Sequence, residues 1–286
     1  MTTHTEISLS SINEFLDCPL RYRLHHVDGE KPAWLEPRII HHETIKQLIC
    51  LMHDSKWNMN VGHYYRDIFD YYELYRDGEN RIPLLWMNRE RTLEEFENAA
   101  ARILEDYRWR RENREARVLY AGQRFRVEME DFILTGTIDL VRENPDGTIE
   151  LVIFIPGENP FPAARLHNDW QLNLMTYALS YGEIKVGDEW VKPALIPGFS
   201  SWYFLGADNE GESSGCLIRS EKGEMELEVF RRGFIPLLKT MASGQYYANP
   251  GQCQACAYTY HCMERQALLP MELLHENGIV LSRAAQ

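Results

Sequence analysis

The stretch Leu134–Gly157, LTGTIDLVRENPDGTIELVIFIPG, carries the pattern on which the rest of the chain is arranged. Ile138, Leu140, Ile149, Leu151 and Ile153 recur with period two on either side of Pro145-Asp146-Gly147, which predicts two strands joined by a tight turn. Gly136 permits close approach in the first strand, and Asp139 is its acidic residue. Upstream, Gln123–Met129 alternates Phe125 and Val127, so a meander of three strands is expected.

Working outward, a Ser11-x-x-Glu14 capping box followed by Ile12, Phe15 and Leu16 predicts an N-terminal helix, bent at Pro19 behind Cys18. Arg21 and Arg23 follow, as surface charge or as phosphate contacts. A helix is expected around Ile39–His53, with His41 and His42 near its start, and an aromatic-rich helical segment over residues 56–90. A long helix is expected from Thr92 to Leu119. Its Arg108, Arg110, Arg111, Arg114 and Arg117 are interleaved with Glu105, Glu112 and Glu115, the pattern of a solvated face. After a Pro-rich linker at Glu158–Ala163 come a helix over Arg165–Tyr181, strands at Trp190–Val191, Ser200–Leu205 and Met225–Phe230, and a last helix over Arg231–Ser243. This order predicts an α/β (α+β) fold, a mixed central sheet flanked by helices.

The 286 residues, 44% apolar and 26% charged, suit one large domain spanning 1–286, with residues 30–120 as a helical insertion. No signal-like start and no long apolar run point to secretion or a membrane span, so a cytoplasmic location is expected. A formal net charge of -13 excludes coating nucleic acid by bulk electrostatics but leaves room for a local basic groove.

Six cysteines are present, and Cys253-x-x-Cys256 followed by Cys262 forms a compact group. In a reducing compartment such a group reads as a metal site, for zinc or an iron-sulfur cluster. A fourth ligand is required, and Cys18 is the candidate; Cys50 and Cys216 read as buried thiols.

The order Ser11, Phe15-Leu16, Cys18-Pro19, a helical His, Gly136-x-x-Asp139, a Gln-bearing helix and a terminal Cys-x-x-Cys-x5-Cys resembles the iron-sulfur branch of the PD-(D/E)XK nucleases. That branch includes AddB-type and RecB-like nucleases and the CRISPR adaptation nucleases. The resemblance implies a restriction-endonuclease-like fold. It also implies a 4Fe-4S cluster on Cys18, Cys253, Cys256 and Cys262, clasping the two ends of the chain at residue 18 and residues 250–265, with zinc as the alternative. Carried over residue by residue, His42 matches the family's metal-binding His, Asp139 its metal-binding Asp and Gln171 its Gln, although Met175 stands where the usual Tyr would be.

The departure lies in the second strand, where Ile153 and Ile155 occupy the positions of the family's Asp/Glu and Lys. In such a site carboxylates and a His hold a hard cation that acidifies a bound water, and Lys steadies the developing phosphate charge. Weak or absent Mg or Mn binding is therefore expected. Glu150 should point to the opposite face, while Glu158 and Arg165 are candidates for displaced function. The main expectation is a degenerate nuclease fold that binds DNA or scaffolds a larger DNA-processing assembly, with a helicase or a recombination or defence subunit as partner. An active metal-dependent nuclease with displaced residues and a purely protein-binding module are the alternatives.

Overall fold

A computed structural model describes residues 5–57, 61–75, 82–155, 163–205 and 216–266. Glu158, the Pro-rich linker before residue 163 and the Cys216 side chain lie outside the described residues, so the expectations for them have no structural counterpart.

The meander is present as β2 (Arg117–Met129), β3 (Phe132–Glu143) and β4 (Ile149–Ile155), paired antiparallel in that order. Gly147 adopts φ +83°, and the Asp146 carboxylate accepts the Thr148 N–H at 2.9 Å, so the Pro-Asp-Gly segment turns as its chemistry dictates. Gly136 has a packing reason: a Cβ there would sit 2.7 Å from the Phe125 ring.

Among the described residues the sheet has eight strands. Beyond the meander they are β1 (Thr5–Ser8), β5 (Glu183–Val186), β6 (Glu189–Val191), β7 (Phe199–Phe204) and β8 (Cys216–Ser220), in the order β6-β5-β2-β3-β4-β7-β8, with β1 parallel to β3. β1 covers the first part of β3, from Thr5↔Phe132 to Ser8↔Thr135, and β4 covers its end, from Glu143↔Ile149 to Leu140↔Val152. Past Val152, β4 leaves β3 and continues parallel to β7 as far as Ile155↔Phe204. The sheet therefore forks beside Asp139.

Helices cover both faces. One face buries Ile12 and Phe15 of α1 (Leu9–Asp17), and further along the chain Leu172 and Ala178, then Phe234 and Leu238, against Leu151 and Ile153. The short helix α2 is Pro19–Tyr22. On the opposite face α3 (Pro37–Asp54), α4 (Tyr65–Tyr75) and α5 (Arg89–Trp109) pack Ile45, Leu48, Phe69 and Leu104 over Leu140, Val152 and Phe154. The alternation along β4 thus feeds two separate cores. This is the mixed sheet flanked by helices that the element order predicts. Among the described residues no helix is long and apolar enough to cross a membrane.

Four local expectations are corrected. The first helix is capped by Ser8, whose hydroxyl accepts the Ser11 N–H at 3.1 Å, so Ser11 lies inside α1. The expected Thr92–Leu119 helix ends at Trp109; α6 (Arg111–Glu115) follows, and Arg117 already belongs to β2. The helix expected over Arg165–Tyr181 is two helices, α7 (Ala163–His167) and α8 (Trp170–Tyr181), because Asp169 caps the second through the Leu172 N–H at 2.7 Å. Met225–Phe230, expected as a strand, is the start of α9 (Glu224–Ala242). Met225, Leu227 and Val229 alternate in sequence, yet only Leu227 is buried, while Met225 is 76% and Val229 66% exposed. The period is helical and the alternation incidental.

Candidate functional site

Asp139 sits at the fork with 9% exposure. Its Oδ2 accepts the Phe154 N–H at 2.9 Å, which ties β4 to β3 where the ladder has parted. The same oxygen lies 3.0 Å from Nζ of Lys46 on α3. Lys46 is the residue that sequence reasoning missed. Its signal was the spacing His42, Lys46, Cys50, which places three side chains along one helix face at i, i+4 and i+8. Cys50, buried as expected, approaches the Asp139 carbonyl at 4.0 Å. Burial alone would lower the Lys46 pKa, but the charges of Asp139 and Glu43 outweigh it and the pKa is raised. The lysine is held charged against the carboxylate.

The two neighbouring histidines divide. His41 is core: it stacks on Phe96 at 4.3 Å, and its Nδ1 is 2.7 Å from the Tyr65 hydroxyl. His42 is half-buried on the side of Lys46, and burial followed by the charges of Arg38 and Lys46 depresses its pKa to about 4. It is neutral at physiological pH, the state a metal ligand requires. Gln171 is half-buried in the first turn of α8. No hydrogen bond or ion pair among the described residues joins His42 or Gln171 to Asp139, and these residues belong to no three-ligand group there.

Ile153 is 3% exposed in the core beneath α1, α8 and α9, and Ile155 packs against the same cluster. Glu150 faces the other way and is fully buried. Its carboxylate is occupied by Arg142 at 2.9 Å, Arg219 at 2.7 Å and the Ser201 hydroxyl at 2.7 Å. Arg165, on α7, is exposed. Among the described residues the fit to a hard divalent cation is poor: the Asp139 carboxylate is paired with the Lys46 ammonium, and β4 offers Ile153 and Ile155.

The arginine run is engaged within the chain. Arg108 donates to the Trp57 carbonyl, Arg110 to Asp106, Arg111 to Glu115 and Arg117 to Glu143, while Arg114 lies over the Trp109 ring. Arg21 pairs with Asp17 and Glu14, and Arg23 with Asp28.

The cysteines gather at the other end of the fold. Cys18 is buried between α1 and α2 and accepts the Asn249 N–H at 3.4 Å, while the Asn249 side chain donates to the Asp17 carbonyl at 2.8 Å. The 3-10 turn Pro250–Ala255 carries Cys253, and α10 (Thr259–Gln266) carries Cys262. Burial first, then the neighbouring thiols including Cys18, pushes the pKa of Cys253 and of Cys262 upward. A Cys253-x-x-Cys256 pair with Cys262 and Cys18 close by is a donor set that fits a thiolate-ligated metal group.

A sheet forked beside an acidic strand residue, covered by helices on both faces, defines a restriction-endonuclease-like domain. Residues 6–263 match the PD-(D/E)XK nuclease superfamily, and the chain belongs to it. It is also similar to a solved structure described as "Crystal structure of SSO0001", at 11% identity over 93% of this chain and 88% of that one, with a TM-score of 0.41. Nothing among the curated proteins matches.

Proposed function

We propose that this protein is a catalytically degenerate member of its superfamily, acting as a DNA-binding or scaffolding subunit of a DNA-processing assembly. The observation that supports this reading is the Lys46 ammonium 3.0 Å from the Asp139 carboxylate, in the place where a cation of the reaction would have to bind. With Ile153 buried in the core, the strand supplies no second carboxylate. Incubation with single- and double-stranded DNA in Mg or Mn is expected to leave the DNA intact, with retention of DNA at moderate salt. Cleavage that disappears in Asp139→Ala and in Lys46→Ala would sink this reading and make Lys46 the displaced lysine of an active nuclease. A protein-binding role alone predicts no DNA retention.

The cysteine group in this reading carries a 4Fe-4S cluster on Cys18, Cys253, Cys256 and Cys262, which holds the chain ends together. The spacing Cys253-x-x-Cys256-x5-Cys262 together with the distant Cys18 supports an iron-sulfur cluster, with zinc on the same four thiolates as the alternative. Protein purified without air is expected to be brown, with broad visible absorbance that Cys18→Ser abolishes together with a lower Tm. Colourless protein carrying zinc on sulfur ligands would contradict the assignment.

A further inference from the structure

A second group of ligating side chains lies near the cysteine clasp and has no part in the site at the fork. Glu14 lies in the second half of α1, and His25 and His26 belong to a π-helical turn, Arg23–Val27. Nδ1 of His25 is 2.8 Å and Nε2 of His26 is 2.9 Å from the same Glu14 oxygen, and the three ligand atoms all lie within 4.8 Å of one another. Adjacent side chains on an α-helix diverge by about 100° and do not share a target. Here the wider π turn, with one ring presenting Nδ1 and the other Nε2, makes consecutive imidazoles converge with their centroids 4.3 Å apart. Such turns are frequent at functional sites.

We propose that Glu14, His25 and His26 form a zinc site separate from the four cysteines, with a fourth position open to water. Two imidazole nitrogens and a carboxylate are a donor set for zinc among the available divalent metals. Ligands about 2.0–2.1 Å from a tetrahedral zinc stand roughly 3.3 Å apart, so closure asks each contact to widen by about half an ångström. His25 and His26 keep some exposure, which provides entry, while Glu14 is more covered. The other Glu14 oxygen is 3.4 Å from Arg21 Nε, which orients the carboxylate. The location gives the metal a mechanical role. The His25 ring is 5.8 Å from Tyr258, and Leu24, on the same turn, packs with Cys18 and Tyr258. Zinc here would brace the turn on which the cysteine clasp rests.

The test is zinc binding by the full chain purified without air, followed by elemental analysis and X-ray absorption at the zinc edge. The expected result is zinc with nitrogen and oxygen ligands at about 2.0–2.1 Å and no sulfur at about 2.3 Å. His26→Ala and Glu14→Gln should each weaken binding at least about 100-fold, beyond what loss of an outer-shell partner usually causes. Circular dichroism and iron content unchanged in these variants would separate ligand loss from misfolding; if His26→Ala does not fold, Glu14→Gln carries the test. Absence of zinc, zinc on sulfur alone, or unchanged affinity in the folded variants overturns the proposal.

Discussion

Replacement of Glu150 by Ala is expected to destabilise the fold by about 3–5 kcal/mol, because it leaves Arg142 buried without its counter-charge. The Arg142 side chain is 1% exposed, and the guanidinium also bonds the Asn113 side chain at 2.7 Å, so it cannot turn to solvent. The cost should appear as a lower urea midpoint with an unchanged slope. The same carboxylate makes the fold acid-sensitive. Burial would raise its pKa, yet Arg219, Arg142 and Ser201 hold it at about 2, against 4.5 for the free group. A depressed carboxylate contributes its stability above the unfolded value and loses it as pH falls through the folded one. The contribution, on the order of 3 kcal/mol, should therefore drain away between about pH 4.5 and pH 2, and Glu150→Ala should flatten that limb. A loss under about 1 kcal/mol at neutral pH would mean the network is not the tie described.

The second large effect concerns Lys46. Lys46→Met leaves the Asp139 carboxylate with the Phe154 N–H but no cation, and a cost of about 2–3 kcal/mol is expected. That is below the range for fully buried pairs because the lysine keeps 26% exposure. Adding Asp139→Asn should recover part of the loss, with a coupling energy between the two of about 1–3 kcal/mol. The metal response is more diagnostic than the stability. With the ammonium gone, Asp139 has a charge to offer, so Mn should raise the Tm of Lys46→Met and leave the wild-type chain unmoved. Equal stabilisation of both proteins by Mn would show that Lys46 does not exclude the metal.

What the sequence disclosed and what it hid follow from the range of the interactions involved. The hairpin was legible because Pro145, Asp146 and Gly147 specify a turn locally, and Leu151 and Ile153 keep period two on one face of β4 even though Val152 and Phe154 fill the other. Met225–Phe230 misled because alternating apolar residues satisfy both periods over six positions, and only burial separates them. The Glu150 network draws Arg142 from β3, Glu150 from β4 and Arg219 from β8, so no local pattern announces it. Lys46 lies between these cases. Its spacing from His42 and Cys50 was in view, but its partner comes from a strand more than ninety positions later.

The contact between Cys18 and Asn249 joins residues 231 positions apart. At roughly 5–20 residues per second of synthesis, the Cys18 thiol stands on the nascent chain for roughly 10 to 50 seconds before its partners exist. For about the first half of that interval β1 and the first helix also await their fork strand β3, and throughout it there is no clasp to close. Synthesis of the segment from Asn249 to Cys262 therefore acts as a timer on an oxidisable group, and an oxidant pulse before it should harm this chain more than the same pulse after it.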